Sequence, residues 1–241
     1  MPTASIIIAA GGTGRRFAAG GAGLRRAATK VFAPLAGRPV LAHTLDRFAR
    51  VDAVAEVVVA APAALLDEAR ERFGDAIASG RRLVFVAGGE DRTESVARAL
   101  DATDARTDLV AIHDAVRPLI RSEIIEESFR VAAEHGAAVV GRPLDHTVKS
   151  VSEDRRVIRT VPREGLWIVQ TPQVFRREII TRAYAARGRT PGPITDDAQL
   201  VEALGLPVVM VAGDAANIKI TTPEDLRLCE ALLAAGWPFQ Q

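Results

Sequence analysis

The sequence has little cysteine and almost no net charge, and it lacks long apolar runs. One cysteine, Cys229, excludes an intrachain disulfide and any metal site built from several cysteines. The 31 basic and 30 acidic residues leave a net charge of +1, which argues against a broadly basic nucleic-acid-binding protein but is compatible with a local basic pocket. No apolar run approaches the roughly 20 residues of a membrane span, and the N-terminus lacks the basic start of a signal peptide. We therefore expect a cytoplasmic protein that binds no nucleic acid and no membrane.

The composition fits one large globular domain with a substantial core. Apolar residues make up 48% of the chain and charged residues 25%, which is close to the globular average. A length of 241 residues is short for two full domains, so we predict that residues 1–241 form a single domain. Cys229 lies in an apolar helical pattern, which favours a buried structural thiol.

Short apolar segments alternate with segments of helical periodicity along most of the chain. The predicted strands are Ile6–Ala10, Glu56–Ala60, Leu83–Ala87, Leu109–Ile112, Ala137–Val140 and Pro207–Val211. The predicted helices are Val40–Arg50, Ala64–Phe73, Glu94–Ala102, Glu123–Glu134 and Pro223–Ala235. Near-continuous apolar strands suit a sheet that is covered on both faces. The alternation therefore predicts an α/β fold with a doubly wound, mostly parallel, Rossmann-like sheet.

Residues 143–162 interrupt this alternation. Two β-prone segments, Thr147–Val151 and Arg156–Val161, surround a polar turn and predict a β-hairpin. A hairpin that projects from a sheet cannot bury both of its faces by itself. We therefore predict that this β-arm contacts a second subunit.

The first predicted strand runs into a glycine-rich segment in "SIIIAAGGTGRRF" (5–17). Glycine lets backbone N–H groups approach a ligand at the carboxyl edge of a sheet, and arginine donates to phosphate oxygens. The spacing lacks the third glycine of a dinucleotide fingerprint and the lysine–serine/threonine pair of a P-loop. The residues alone leave two interpretations open, a triphosphate site and an ordinary strand–helix turn.

Several motifs in a defined order make the first interpretation specific. The glycine turn (10–16) and "PLAGRPVLAHTL" (34–45) are followed by "GGEDRTESV" (88–96), "HDAVRPLI" (113–120), "DHTVKSV" (145–151), "VPREGLWIVQTPQVF" (161–175), "ITDDAQLVEALG" (194–205) and "NIKITTPEDL" (217–226). Together these motifs resemble the 2-C-methyl-D-erythritol 4-phosphate cytidylyltransferases of the nucleotidyltransferase superfamily, over nearly the whole chain. The resemblance implies that CTP and methylerythritol phosphate are joined with release of pyrophosphate, by direct attack of the substrate phosphate on the α-phosphate.

The resemblance also implies how CTP is bound. Arg16 and Lys30 are the expected catalytic cations, which stabilise the transition state at the α-phosphate. The other expected CTP-binding residues are Ala10, Gly11, Gly12, Thr13, Gly14, Arg15, Gly89, Ser95, Asp114 and Ala115. An acidic residue among anionic ligands is expected to meet Mg²⁺ or a ribose hydroxyl, so Asp114 is the candidate metal ligand and Mg²⁺ the expected cofactor. We interpret His113 as a structural histidine, and Trp167 and Pro172 as core residues.

A second set of residues is implied for methylerythritol phosphate. It comprises Arg117, Thr147, Arg163, Thr171, Thr195 and Lys219. The resemblance implies a homodimer in which the arm crosses to the neighbouring subunit, so Thr147 and Arg163 are expected to serve the partner's site. Two alternatives stay open, namely a cytidylyltransferase for another polyol phosphate such as ribitol 5-phosphate, and a scaffold protein that has lost activity. The presence of Arg16, Lys30 and Lys219 argues against the second alternative.

Overall fold

The computed structural model of the protein describes residues 2–10, 30–74, 81–190 and 192–237. The strands in these ranges are β1 (Ala4–Ala9), β2 (Pro34–Leu35), β3 (Arg38–Pro39), β4 (Val54–Ala61), β5 (Arg82–Ala87), β6 (Leu109–Asp114), β7 (Ala137–Pro143), β8 (Val148–Val151), β9 (Val157–Val161), β10 (Trp167–Arg176) and β11 (Val209–Ala212). The α-helices are α1 (Val40–Ala49), α2 (Leu66–Phe73), α3 (Arg92–Asp101), α4 (Ser122–His135), α5 (Arg177–Ala185), α6 (Ala198–Glu202) and α7 (Pro223–Ala234). Among these described helices, none has the length and apolarity to cross a bilayer.

Seven strands form a central sheet in the order β11-β7-β10-β6-β1-β4-β5. The pairs β1–β4, β1–β6, β4–β5 and β7–β11 are parallel, whereas β10 runs antiparallel to both of its neighbours. The predicted α/β fold with a doubly wound, mostly parallel sheet is therefore confirmed. The chain passes from β1 to β4 and β5 on one side and then returns to β6 on the other side. Such a reversal opens a crevice at the carboxyl ends of the strands, where Ala9 of β1 lies opposite Asp114 of β6.

The helices cover both faces of this sheet. Ile6 and Ile8 pack into one core cluster with Phe48 of α1, whereas Ile7 packs into the other cluster with Val96 of α3. Alternate residues of β1 thus face opposite layers, and burying each such side chain stabilises the fold by about 1.5–3 kcal/mol. A strand that is covered on both faces accounts for the continuous apolar runs in the sequence.

Cys229 is fully buried, as the sequence predicted. Burial, with the nearby charges of Asp225 and Glu230, raises the pKa of its thiol to about 12. The thiol therefore stays protonated and acts as a packing group.

The strand β10 is the main element that the sequence did not predict. Its first three residues are exposed and the next six are buried, and the buried part contains Gln170, Thr171 and Gln173. These polar residues and Pro172 hide the apolar pattern of a central strand. Pro172 is buried as expected. Trp167 is 38% exposed, so its interpretation as a core residue was wrong; it pairs with Pro143 at the base of the arm.

The predicted hairpin is confirmed as a separate two-stranded sheet formed by β8 and β9. The pairing is antiparallel, from Val148 opposite Val161 to Val151 opposite Val157. Its apolar side chains are exposed, with Val157 at 61% and Ile158 at 64%. Exposed apolar residues continue from Leu166 to Val169 at its base. The arm therefore presents a larger apolar surface than single scattered residues would.

Candidate active site

A polar cavity of about 270 Å³ opens at the carboxyl edge of the sheet, beside the end of β6. Charged and polar side chains from several regions of the chain line it, and these are Arg92, Asp114, Arg117, Gln170, Thr171, Gln173, Thr195, Asp196 and Lys219. Four of the six predicted substrate residues, Arg117, Thr171, Thr195 and Lys219, thus come together. The crevice at the reversal of strand order is where open α/β sheets bind ligands.

Three cations surround the carboxylate of Asp114, which is 5% exposed. Lys219 Nζ lies 3.0 Å and Arg117 Nε 3.1 Å from Oδ2, and Arg92 Nε lies 3.5 Å from Oδ1. Burial alone would raise the pKa of Asp114, but the charges of Lys219, Arg92 and Arg117 outweigh it and hold the pKa well below its usual range. Asp114 therefore stays ionised, and the three cations together exceed its charge.

Loop contacts bring these cations together from distant parts of the sequence. Arg117 follows β6 by three residues, and its Nη1 donates to the carbonyl of Asn217 at 2.8 Å. The N–H of Ile220 donates to the carbonyl of Val116 at 2.9 Å. These two bonds join the segment around Lys219 to the loop after β6. From α1, Thr44 Oγ1 donates to the carbonyl of Ala115 at 2.9 Å and holds the same loop in place.

His113 and Thr171 form a buried hydrogen-bond chain behind Asp114. Burial lowers the pKa of His113 to about 4, so its ring is neutral at physiological pH. Its Nε2 lies 3.1 Å from the carbonyl of Arg117 and must carry the proton, which leaves Nδ1 to accept from Thr171 Oγ1 at 3.1 Å. Thr171 Oγ1 in turn accepts from the N–H of Asp114 at 3.1 Å. His113 is thus a structural histidine, as expected, and Thr171 both lines the cavity and orients Asp114.

The segment "GGEDRTES" (88–95), which forms the loop after β5 and the first turn of α3, lies next to this edge. Ser95 is fully buried, and its Oγ accepts from the N–H of Gly89 at 2.9 Å and donates to the carbonyl of Asp91 at 2.7 Å. Asp91 caps α3 by accepting from the N–H of Glu94 at 2.7 Å. A Cβ on Gly89 would lie only 2.4 Å from the Glu94 side chain. Ser95 therefore shapes a tight glycine turn, which presents the backbone of Gly89 at the edge.

Some of the remaining residues that were predicted to bind CTP lie within the described parts of the chain, and the others lie outside them. Ala10 donates its N–H to the carbonyl of Ala60 at 2.9 Å, and Ala115 donates to that of Ala9 at 3.2 Å, so both continue their strands to the crevice. Lys30 lies half-buried at the start of the segment before α1. The others, Gly11, Gly12, Thr13, Gly14, Arg15 and Arg16, lie outside the described residues.

Two predicted substrate residues do not reach the cavity within this chain. Thr147 and Arg163 lie exposed at the base of the β8–β9 arm, where Arg163 Nη1 donates to the carbonyl of Asp145. Conversely, the cavity contains Arg92, Gln170, Gln173 and Asp196, which were not singled out from the sequence. The signal was present for all four, because each lies within a motif that already carried a predicted residue.

The described residues contain no group of three His, Cys, Asp or Glu side chains that could hold a metal ion. Among the described residues, Asp114 would therefore be a single carboxylate ligand and not one of a set of protein ligands that surround a metal ion. A single carboxylate fits Mg²⁺ when phosphate oxygens and water complete the coordination. Within the described part of the chain, Asp114 Oδ1 has only the more distant Arg92 as a cationic neighbour, so it is the oxygen that suits this contact better.

A larger cavity of about 970 Å³ lies at the opposite edge of the sheet, but its chemistry is that of a structural network. Arg177, which lines it, donates to the carbonyl of Thr107 at 2.8 Å and to Ser5 Oγ at 2.9 Å. Ser5 in turn donates to Glu56 Oε1 at 2.7 Å, and Glu56 pairs with Arg82 at 2.5 Å. Because Arg177 is already bonded within this network, and because the smaller cavity lies at the carboxyl edge where open α/β sheets bind ligands, we assign the active site to the smaller cavity.

Comparisons with known proteins agree with this fold. The chain matches the IspD family model, described as 2-C-methyl-D-erythritol 4-phosphate cytidylyltransferase, over residues 4–235. Proteins of that name from Frankia casuarinae and Symbiobacterium thermophilum are each 41% identical, over 97% and 95% of this chain and 82% and 92% of their own lengths. The crystal structure of the Thermus thermophilus protein is 35% identical with a TM-score of 0.75, covering 97% of this chain and 100% of that one. The Anaerococcus prevotii 4-diphosphocytidyl-2C-methyl-D-erythritol synthase structure gives a TM-score of 0.81 at 28% identity, covering 97% and 99%.

The neutral His113 predicts a pH-dependent stability. Between pH 6.5 and about 4 the unfolded chain binds a proton that the folded chain excludes, so the free energy of unfolding falls as pH falls through this window. The lowering of the His113 pKa from 6.5 to about 4 corresponds to a loss of about 3 kcal/mol in the free energy of unfolding once the ring is protonated in both states. Buried His43, whose pKa burial also lowers, adds to the fall with the same sign.

Urea unfolding at pH 7, 6 and 5 measures this effect. His113→Gln should show a shallower decrease than the wild type, whatever its stability at pH 7. His135→Gln, a change at a histidine with a 46% exposed side chain on α4, should keep the wild-type decrease. A wild-type pH dependence in His113→Gln would contradict the assignment of a neutral buried ring.

Proposed function

Because the chain belongs to the 2-C-methyl-D-erythritol 4-phosphate cytidylyltransferase family, we propose that it catalyses the reaction of that name. An oxygen of the substrate phosphate attacks the α-phosphorus of CTP, the bond to the bridging oxygen breaks, and pyrophosphate leaves with the electron pair. The product is 4-diphosphocytidyl-2-C-methyl-D-erythritol. The relatives named above all bear names for this product or substrate, which does not favour the ribitol 5-phosphate alternative.

The observation that carries this proposal is the cationic cavity beside Asp114. Both reactants are anions that repel each other, so a catalyst must neutralise them before they can be aligned. Of the described residues, Arg92, Arg117 and Lys219 line the cavity as cations, and Asp114 and Asp196 line it as acids. The excess positive charge suits the phosphate of methylerythritol phosphate, and the hydroxyls of Thr171 and Thr195 suit its oxygens or the diol.

CTP would occupy the adjacent part of the crevice, between the ends of β1 and β6 and the turn at Gly89. Arg16 and Lys30 would stabilise charge that develops at the α-phosphate. No nucleophile on the protein is needed, because the phosphate monoester is itself a nucleophile near neutral pH. Mg²⁺ bound by the phosphates of CTP, with Asp114 as its protein ligand, would supply further charge neutralisation.

The exposed apolar arm supports a dimeric enzyme. Val151, Val157 and Ile158 would be covered by a second copy of the chain, whose cavity Thr147 and Arg163 would then complete. This arrangement accounts for the two predicted substrate residues that lie outside the cavity of their own chain.

Pyrophosphate release tests the proposed function. The purified protein with CTP and Mg²⁺ should release pyrophosphate when methylerythritol phosphate is added and far less with ribitol 5-phosphate. No release with either substrate would contradict an enzymatic function. Release with ribitol 5-phosphate alone would move the assignment to the related enzyme.

Lys30→Ala and Arg16→Ala should each lower kcat about 10²–10³-fold, because each removes a charge that acts on the transition state. The melting temperature should stay near the wild-type value if the residues act on CTP and not on the fold. Steady-state rates of pyrophosphate release measure the loss. Turnover near the wild-type rate in either variant would rule out the role given to that residue.

Lys219→Ala should raise the KM for methylerythritol phosphate by about tenfold or more while changing the KM for CTP little. A charged hydrogen bond to the substrate phosphate is lost, which corresponds to about 1.5–3 kcal/mol. Arg130→Ala, which removes an exposed cation of α4 with only helix-surface partners, serves as the control. If the KM for CTP rose instead, Lys219 would belong to the CTP site, and the two pockets would have been assigned to the wrong substrates.

The arm can be tested by charge substitution on both of its faces, because the adjacent strand residues Val157 and Ile158 point to opposite sides and are both exposed. Ile158→Glu with Val157→Glu should convert dimers to monomers in light scattering, because two carboxylates would have to be buried between subunits. Leu228→Glu, at an apolar residue of α7 that is 52% exposed, is the matched control and should leave the dimer intact. A dimer that persists in the arm variant, or a monomeric wild type, would remove the arm from the interface.

A further inference from the structure

Arg92 is held between two buried carboxylates. Its Nη2 donates to Asp197 Oδ2 at 2.7 Å, and its Nε lies 3.5 Å from Asp114 Oδ1. Asp197 and Asp114 are 1% and 5% exposed, so neither charge is screened by bulk water. Burial alone would lower the pKa of Arg92, but the charges of Asp197 and Asp114 outweigh it and raise the pKa. The guanidinium is therefore permanently charged. Its orientation is fixed by two carboxylates, Asp114 at the end of β6 and Asp197 just before α6.

Asp197 is itself held in place by Tyr184 and Gln173. The hydroxyl of Tyr184, in α5, donates to Asp197 Oδ1 at 2.5 Å. Burial, together with the charge of Asp197, raises the pKa of Tyr184, so the hydroxyl remains a donor. The side chain of Gln173, in β10, accepts from the N–H groups of Asp197 and Ala198, each at 3.0 Å. Asp197 thus has a single available orientation, with one oxygen for Tyr184 and the other for Arg92.

We propose that Asp197 and Tyr184 are positioning residues that hold Arg92 in the cavity wall, so that its guanidinium binds the substrate phosphate. The inference rests on the proposed function and names Arg92 as a third phosphate-binding cation beside Arg117 and Lys219. Neither Asp197 nor Tyr184 lines the cavity, whereas Arg92 does. Among the described cavity residues, Arg92 is the one that the Asp197 carboxylate contacts, so we expect the side chains of Asp197 and Tyr184 to act on the substrate through Arg92.

The physical reason is preorganisation. An arginine side chain has many rotamers, and ordering it at the moment of binding opposes affinity. The contact with Asp197 orders Arg92 during folding, before the substrate arrives. Asp114 alone cannot do this, because it lies 3.5 Å from Arg92 and is shared with Lys219 and Arg117.

The test compares Tyr184→Phe, Asp197→Asn and Arg92→Lys by pyrophosphate release. Asp197→Asn should raise the KM for methylerythritol phosphate about tenfold, as expected for loss of one charged hydrogen bond, and Tyr184→Phe should raise it by a smaller factor. The KM for CTP should stay within about twofold, since Arg92 is assigned to the substrate phosphate and not to CTP. If Asp197 acts through Arg92, the double variant Asp197→Asn/Arg92→Lys should be no worse than Arg92→Lys alone.

Glu56→Gln is the matched control for a purely structural effect. Glu56 is also a buried carboxylate, 2% exposed and paired with an arginine, but it lies at the opposite edge of the sheet. Its substitution should lower the melting temperature while leaving both KM values unchanged. If Asp197→Asn does not fold, Tyr184→Phe still decides the matter, because it removes only one oxygen atom.

Several results would overturn the inference. The first is an unchanged KM for methylerythritol phosphate in Asp197→Asn and Tyr184→Phe. The second is a loss of affinity that is equal for both substrates and follows the melting temperature. The third is an additive rise in KM in the double variant Asp197→Asn/Arg92→Lys. A lower KM in Asp197→Asn would show that its charge weakens phosphate binding, which also contradicts positioning. A wild type without activity would overturn the proposed function together with the inference, whereas an active wild type with unaffected variants would overturn the inference alone.

Discussion

The buried ion cluster around Asp114 is the interaction on which the arrangement of the site depends. A carboxylate removed from water at the end of a central strand is costly unless cations compensate for it. The compensation comes from Arg92 at the start of α3, Arg117 in the loop after β6 and Lys219 after β11. Because each cation must approach the same carboxylate, the cluster sets the relative positions of three loops at the carboxyl edge.

The same cluster prepares the site for anions. Three cations share one central carboxylate, so their donors are ordered but not fully neutralised before a phosphate arrives. Charges that are ordered during folding need no rearrangement when the reactants bind, and this is the condition under which electrostatic stabilisation is most effective. Asp114 is thus a structural centre of the cavity, and any contact with Mg²⁺ would use an oxygen that already faces Arg92.

The antiparallel strand β10 shows how a polar segment can lie in the middle of a sheet. Thr171 is satisfied by His113 and Asp114, and Gln173 by the segment that contains Asp196 and Asp197. Gln170 donates to the carbonyl of Asp214 at 2.8 Å. Buried polar groups with complete hydrogen bonding are tolerated and specify a unique arrangement. In this protein they connect the sheet to the loops that carry the cavity.

The sequence by itself determined the α/β alternation and the hairpin. Through the family resemblance, its motifs also assigned Asp114 to the CTP site and Arg117, Thr171, Thr195 and Lys219 to the substrate site. These features depend on local periodicity and short motifs, which are readable along the chain. Only the tertiary structure decided that β10 enters the sheet antiparallel, that Trp167 is exposed, and that Arg92 joins Asp114 to Asp197 and Tyr184. Those outcomes depend on pairings between residues far apart in the chain, such as the bond from Arg92 to Asp197 across 105 positions. No local pattern encodes them, because the energy of a buried ion pair depends on the three-dimensional surroundings of both partners.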